Sequence, residues 1–342
     1  MPKNNKLVIL IIGFGSIGQR HYRNIKKIYK DNVRFIILRK KLLTPLLTKN
    51  NKIKKNQKIN HKIVKVINNL NDIDFKKTKI HSAFICTPSS KHIDMALRLI
   101  RYNINTFIEK PLSNNFRKLN YLNNLLKKSK SINMIGFQMR FNPIINFLKK
   151  NHNCSKIIGD TNFIQIDHGE DVRDFHSWEN YKDSYTSKKS LGGGVTLSQI
   201  HEFDYFNYLF DEFKIVKSKS IISKISDLSI NVDDTSSHLF MISNKKKSIL
   251  CNINLNFYEF PKNRTIKMIG SKGKLIANLN SQEITIYTRK KIFKKKFNFK
   301  RNDLFLNELK YYFNCIRQKK FSHSLDINYA IKNLKFTLKL FN

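Results

Sequence analysis

Leu7-Val8-Ile9-Leu10-Ile11-Ile12-Gly13-Phe14-Gly15-Ser16-Ile17-Gly18 decides the fold. Six apolar residues in a row, several of them β-branched, read as a strand buried on both faces. G-x-G-x-x-G follows at once, and Ser16 to Tyr29 then carries a helical pattern. In such a strand–turn–helix unit the first glycine permits the tight turn. The second lets a diphosphate approach the backbone, and the third lets the helix pack closely on the strand. Free N–H groups and the positive end of the helix dipole then face the anion. The stretch therefore predicts a dinucleotide site at Gly13, Phe14, Gly15, Ser16, Ile17 and Gly18. The apolar run is short and no small-residue cleavage site follows it, so it reads as a strand and not as a leader peptide.

Working outward, Val33 to Leu38 reads as the second strand. The position that reads the adenosine ribose falls about 20 residues past the last glycine, on Leu38, Arg39 and Lys40. No acid stands there to accept from a 2′-hydroxyl. Arg39 and Lys40 suit a 2′-phosphate instead, which favours NADP over NAD, although two cations at a strand end are equally a solvated surface.

The strand–helix alternation continues through Ala83 to Cys86, a helix from His92 to Tyr102, Thr106 to Ile108, a helix from Phe116 to Leu126, and Asn133 to Phe137. That rhythm belongs to a parallel sheet covered by helices, a Rossmann domain over residues 1–138. The Lys- and Asn-rich stretch from Lys40 to Asn60 supports no assignment. After Pro143 strands crowd together: Ile157 to Asp167, Ile215 to Ile222, Ser237 to Ile242, Ser248 to Phe257, Thr265 to Ile269, Lys274 to Ala277 and Glu283 to Tyr287. Helices are expected at Gln199 to Phe210, Asp303 to Gln318 and Tyr329 to Phe341. Residues 139–342 thus read as a second α/β domain on a large, mainly antiparallel sheet, serving substrate binding and oligomerisation. The fold class is α/β in two domains.

Composition bounds the rest. The 342 residues are 41% hydrophobic and include 26 Phe, enough to build a core and to exclude a disordered chain. Cys86, Cys154, Cys251 and Cys315 lie far apart without a C-x-x-C pair, so neither a zinc site nor a disulfide framework is expected. A reducing cytoplasm fits, and no run approaches a membrane span. Sixty-five Lys and Arg against 24 Asp and Glu give +41. Such a field attracts polyanions. Yet the basic residues are scattered along a chain enriched in Lys, Asn and Ile throughout, apart from short runs such as Lys245 to Lys247 and Lys294 to Lys296. No nucleic-acid motif accompanies them. A composition bias is the expectation, with no specific nucleic-acid partner.

Several motifs together resemble the Gfo/Idh/MocA oxidoreductases, named for glucose–fructose oxidoreductase and inositol dehydrogenase. They are Gly13 to Gly18; Ile85-Cys86-Thr87-Pro88-Ser89 with His92; Glu109-Lys110-Pro111; Arg140-Phe141-Asn142-Pro143; and Gly192-Gly193-Gly194 followed by His201 and Asp204. The resemblance implies that Thr87, Pro88, Ser89, His92, Glu109 and Lys110 line the cofactor. It also implies that Lys110 holds the reacting oxygen, where an ammonium stabilises developing alkoxide charge. His201 becomes the candidate acid–base, since imidazole titrates near neutral pH. Asp204, one helical turn on, and Arg140 become candidate substrate contacts. Many family members carry an Asp where Ser198 stands, so the proton relay departs from the family pattern: either His201 works with Lys110 alone, or Asp204 or Glu202 substitutes, or redox activity is reduced. Asp174 to Tyr181, with Tyr185 and Leu191 to Gly194, resembles a subgroup of surface-polysaccharide and nonulosonic-acid pathways. Trp178, Tyr181 and Tyr185 are there to stack on a sugar or to plug a gap. The resemblance implies NAD or NADP, a sugar or nucleotide-sugar substrate and a dimer or tetramer. Some relatives oxidise only transiently, for epimerisation or glycoside cleavage, and Ser198 leaves room for a catalytically silent cofactor-binding protein.

Overall fold

In a computed structural model, residues 6–39, 45–48, 52–53, 64–151, 154–176, 178–320 and 325–340 are described. The chain divides into two compact units, residues 1–137 with 305–332 and residues 138–304 with 333–342.

The first unit is built on β1 (Leu7–Ile12), α1 (Ser16–Tyr29), β2 (Val33–Leu38), β3 (Val64–Ile67), β4 (Ser82–Ile85), α2 (His92–Ile100), β5 (Asn105–Glu109), α3 (Leu119–Lys128) and β6 (Asn133–Gly136). Its six strands run parallel in the order β3-β2-β1-β4-β5-β6. Ile9 to Ile12 and Ala83 to Ile85 are fully buried, as expected of central parallel strands covered on both faces. Each such Ile, Leu or Phe side chain contributes about 1.5–3 kcal/mol on leaving water. The predicted face of α2 is buried through Ile93, Ala96, Leu97 and Ile100. Strand order reverses between β1 and β4, and a crevice opens outside the carboxyl ends of strands at such a switch point. The dinucleotide motif sits there. β3 was not expected, because it follows the Lys- and Asn-rich stretch that carries no alternation.

The second unit begins with α4 (Pro143–Lys150), where Asn142 caps the Ile144 N–H and Pro143 occupies the first turn. Next come α5 (Ser155–Ile158), β7 (Thr161–Gly169), α6 (Val195–Ser198) and α7 (His201–Leu209). Seven strands complete it: β8 (Lys214–Ser223), β9 (Thr235–Ser243), β10 (Ser248–Asn256), β11 (Asn263–Gly270), β12 (Gly273–Asn278), β13 (Glu283–Thr288) and β14 (Ile292–Lys296). The sheet order is β14-β13-β12-β11-β7-β10-β9-β8, antiparallel except where β7 and β10 run side by side. Along β10, Ile249, Cys251, Ile253 and Leu255 point into the core, the period of two that marks a sheet with one covered face. The stretch expected as one strand from Ile157 is corrected. Gly159, at φ +76°, ends α5 and lets β7 start at Thr161.

Two further helices close the chain, α8 (Arg301–Gln318) and α9 (Ile327–Lys339). From Phe305 onward α8 belongs to the first unit. Its Tyr312 hydroxyl lies 2.6 Å from Ser82 Oγ, and its ring packs edge-on to Phe84 and Phe107. On the other unit, Phe336 of α9 packs against Phe206 and Phe240.

Candidate active site

In the first unit the glycine turn has the shape its spacing predicts. Gly13 sits at φ +90°, and a Cβ there would lie 2.6 Å from the Cys86 carbonyl oxygen at the end of β4. At Gly18 a Cβ would fall 2.2 Å from the Gly13 carbonyl oxygen, so only glycine lets α1 pack this closely on the turn. Gly15, the N-cap of α1, is different: a Cβ built on it meets no atom within 4 Å. The space in front of Gly15 is open, where a diphosphate would meet the helix N–H groups. Beside the turn, the hydroxyl of Thr87 is buried and has no hydrogen-bond partner among the described residues. A constricted, open-fronted glycine turn and an unsatisfied hydroxyl fit a dinucleotide.

Arg39 follows β2 directly and is half-buried, its N–H donating to the Ile67 carbonyl. Lys40 lies outside the described residues. The His92 ring is buried, with both nitrogens 2.7 Å from backbone carbonyl oxygens, Thr87 on one side and Pro111 on the other. It thereby brackets the Thr87-Pro88-Ser89 turn to the Glu-Lys-Pro segment. Burial lowers its pKa, against the pull of those two carbonyls and of the Glu109 charge. Glu109 ends β5, and its Oε1 lies 2.6 Å from Nε2 of His21 on α1. Lys110 follows, half-buried, before Pro111. The structure thus brings the Gly13 to Gly18 turn, Thr87, His92, Glu109 and Lys110 to the carboxyl ends of β1, β4 and β5. His21 joins them without having been anticipated. Its signal was its place three residues after Gly18, on the same helical face.

In the second unit the triple glycine leads into α6. Gly194, at φ +107°, leaves room for Asp233, whose carboxylate accepts from the N–H and the hydroxyl of Thr196. Ser198 lies in α6, and His201 opens α7, both buried. Glu202, beside His201, has no exposed surface. His168 of β7 and Arg264 of β11 face each other across the sheet, and both reach it, at 2.9 and 2.8 Å. Burial works to raise the Glu202 carboxyl, but the Arg264 and His168 charges outweigh it and bring it to about 2. This trio pins the first turn of α7 to the sheet. No local sequence pattern announces it, since its members are far apart in the chain.

Arg140 and Asp204 are held by each other, through two short hydrogen bonds between buried groups. Trp178 is half-buried and packs on His176 at 4.4 Å between centroids. The Tyr181 hydroxyl accepts from the Ser229 N–H, and Tyr185 is half-buried. Alongside Tyr181, an open cavity of about 500 Å³ is lined by Lys182, Ser187, Lys188, Lys224, Asp227 and Asn231, among others. Among the described residues there is no cluster of three or more metal-ligating side chains, and no helix long and apolar enough to cross a membrane. All four cysteines are buried.

Residues 7–137 match the family described as "Oxidoreductase family, NAD-binding Rossmann fold", GFO_IDH_MocA. No curated protein matches the sequence. Among solved structures, myo-inositol 2-dehydrogenase from Lactobacillus plantarum is similar at TM-score 0.74 and 18% identity, over 98% of this chain and 96% of that one. Levoglucosan dehydrogenase, solved with NADH and L-sorbose, is similar at TM-score 0.77 and 15% identity, over 98% and 96%. The WlbA dehydrogenase from Chromobacterium violaceum, solved with NADH and UDP-GlcNAcA, is similar at TM-score 0.72 and 16% identity, over 99% and 94%. At these identities the likeness is one of fold.

Proposed function

Because the chain carries the NAD-binding domain of the Gfo/Idh/MocA oxidoreductases over residues 7–137, we propose that it moves hydride between a nicotinamide dinucleotide and a carbinol or keto carbon of a sugar. The observation that carries this is the glycine turn, closed around Gly13 and Gly18, open in front of Gly15, with the unsatisfied Thr87 hydroxyl beside it. When bound, the dinucleotide supplies the hydride chemistry, and the protein supplies placement and electrostatics. Gly13 to Gly18 hold the diphosphate, and Arg39 with Lys40 the adenosine ribose, with NADP favoured. Lys110 holds the substrate oxygen and stabilises its developing negative charge. His201 exchanges the proton of that oxygen. With Ser198 in place of a family carboxylate, no acid at that position assists His201.

A nucleotide-sugar or a sugar acid of surface glycan synthesis is the favoured substrate. Lys182, Lys188 and Lys224 line the cavity beside Tyr181, and ammonium groups suit a diphosphate or a carboxylate. Trp178, Tyr181 and Tyr185 supply aromatic surface for the ring. The protein works as a homo-oligomer, as the resemblance implies. Titration with NADH and NADPH, followed by a panel of free and nucleotide-linked sugars, tests the reading. Binding with turnover of one panel member supports it, and uptake of neither dinucleotide overturns it. Turnover without net change in reduced nicotinamide would instead identify transient oxidation, as in epimerisation or glycoside cleavage.

A further inference from the structure

His21 and Glu109 stand 88 residues apart in the chain and meet at 2.6 Å, Nε2 to Oε1. The His21 side chain has no exposed surface, and that of Glu109 keeps a tenth of its own. Around the imidazole stand Phe84 and Phe107, at 5.3 and 5.0 Å between centroids, and Phe305 at 6.4 Å. Nδ1 of His21 is buried among them with no hydrogen-bond partner among the described residues. A proton on Nδ1 would therefore be an N–H donor buried with nothing to accept it, a costly arrangement. The arrangement that satisfies the geometry is an imidazole carrying one proton, on Nε2, donated to the carboxylate. That donation orients the Glu109 carboxylate.

That charge lies where it matters. Glu109 ends β5, next in the sheet to β4, whose end packs against the glycine turn. Its field reaches both neighbours there. Burial raises the Cys86 thiol, and Glu109 raises it further, while Glu109 pulls the His92 ring toward its protonated form.

We propose that His21 is a positioning residue that holds Glu109 as an oriented anion, and that this anion makes the site favour the oxidised nicotinamide, which is cationic, over the reduced ring, which is neutral. The inference rests on the dinucleotide reading above. A carboxylate facing a cationic ring in a partly desolvated site would shift the balance between the two forms by about tenfold or more.

The experiment measures dissociation constants for the oxidised and reduced forms of the preferred dinucleotide, by calorimetry and by fluorescence, in wild type, Glu109→Gln, His21→Leu and His21→Gln. Glu109→Gln removes the charge at nearly constant shape, so the contribution of Lys110 is common to both proteins. Expected is a shift of about tenfold toward the reduced form in Glu109→Gln. His21→Leu should shift the same way, and His21→Gln, which keeps an N–H donor, should recover toward wild type. A Glu109→Gln protein that binds both forms with the wild-type ratio overturns the role of the anion. A His21→Leu protein with the wild-type ratio overturns the positioning role. If His21→Leu fails to fold, the Glu109→Gln ratio and the His21→Gln ratio still decide. Wild-type protein that binds neither form would instead sink the dinucleotide reading itself.

Discussion

Arg140 grips Asp204 through two parallel hydrogen bonds, Nε to Oδ2 at 2.7 Å and Nη2 to Oδ1 at 2.8 Å. Asp204 is wholly buried and Arg140 nearly so, with its guanidinium also 4.2 Å from the centroid of the Tyr208 ring. Removing one partner of such a pair strands the other charge out of water. Asp204→Asn should therefore lower unfolding free energy by about 3–5 kcal/mol, read from urea midpoints at constant slope. A folded variant of unchanged stability but weakened substrate affinity would put Asp204 at the substrate instead.

Glu202 links chain segments in the same way, with an added dependence on pH. Its carboxyl lies at about 2 in the folded protein, below the ordinary 4.5. A carboxyl lowered on folding stabilises the protein above its unfolded value, and that contribution is lost as pH falls through the folded one. Wild type should thus lose stability as pH drops from 4.5 toward 2. Glu202→Gln should be weaker at neutral pH, where Arg264, mostly shielded from water, loses its counter-charge, and should show a flatter profile in that acid window. Thermal unfolding across the pH range measures both.

His238 on β9 acts at milder acidity. It is fully buried, its Nδ1 lies 2.8 Å from Ser220 Oγ, and Phe203 stands edge-on to its ring. Burial lowers its pKa from 6.5 to about 4. The native ring therefore stays neutral while the unfolded chain takes a proton below 6.5. Its contribution is full above that pH and declines as pH falls toward about 4. Over most of that window the slope is about 1.4 kcal/mol per pH unit for the one proton. His238→Asn, which cannot titrate, should remove that slope from denaturation curves recorded at successive pH values.

Legibility in the sequence followed the range of the interactions. Leu7–Ile12 with Gly13 to Gly18 was readable because strand, turn and helix are adjacent, and the structure reproduces β1, α1 and β2 to the residue. The alternation of β9 to β13 was readable for the same reason. β14 was not: Ile292-Phe293-Lys294-Lys295-Lys296 is exposed throughout, so it has no buried face to announce it. Its lysines suit a sheet edge that must not pair further. α4 went unnoticed although Asn142-Pro143 is a capping signal. The pairings His21–Glu109, His92–Pro111 and Arg264–Glu202 join distant segments, so no local pattern announces which partners meet.

Lys110 separates chemistry from binding. Lys110→Met keeps most of the side-chain length and removes the ammonium. If that ammonium stabilises charge on the reacting oxygen, turnover should fall by about two to three orders of magnitude. Affinity for the dinucleotide should change little, because the proposed hold on the diphosphate is at the glycine turn and not at Lys110. Steady-state kinetics on the identified sugar, beside NADH or NADPH titration, test the two halves separately. Unaltered turnover in Lys110→Met would leave the protein without its proposed electrostatic catalyst.

The choice between NAD and NADP comes down to the end of β2. An acid there would accept from a 2′-hydroxyl, but the residue that follows Leu38 is Arg39, with its backbone fixed by the hydrogen bond to Ile67 of β3. A guanidinium at that place suits a 2′-phosphate through charge-assisted hydrogen bonds, and offers a ribose hydroxyl pair far less. Such a bond contributes about 1.5–3 kcal/mol, equivalent to roughly tenfold to a hundredfold in affinity. Arg39→Ala should therefore weaken NADPH by about that factor and leave NADH nearly unchanged, closing the gap between them. Competition titrations with the two reduced dinucleotides measure this directly. Should wild type prefer NADH, or should the substitution weaken both equally, Arg39 does not read the phosphate and the cofactor is NAD.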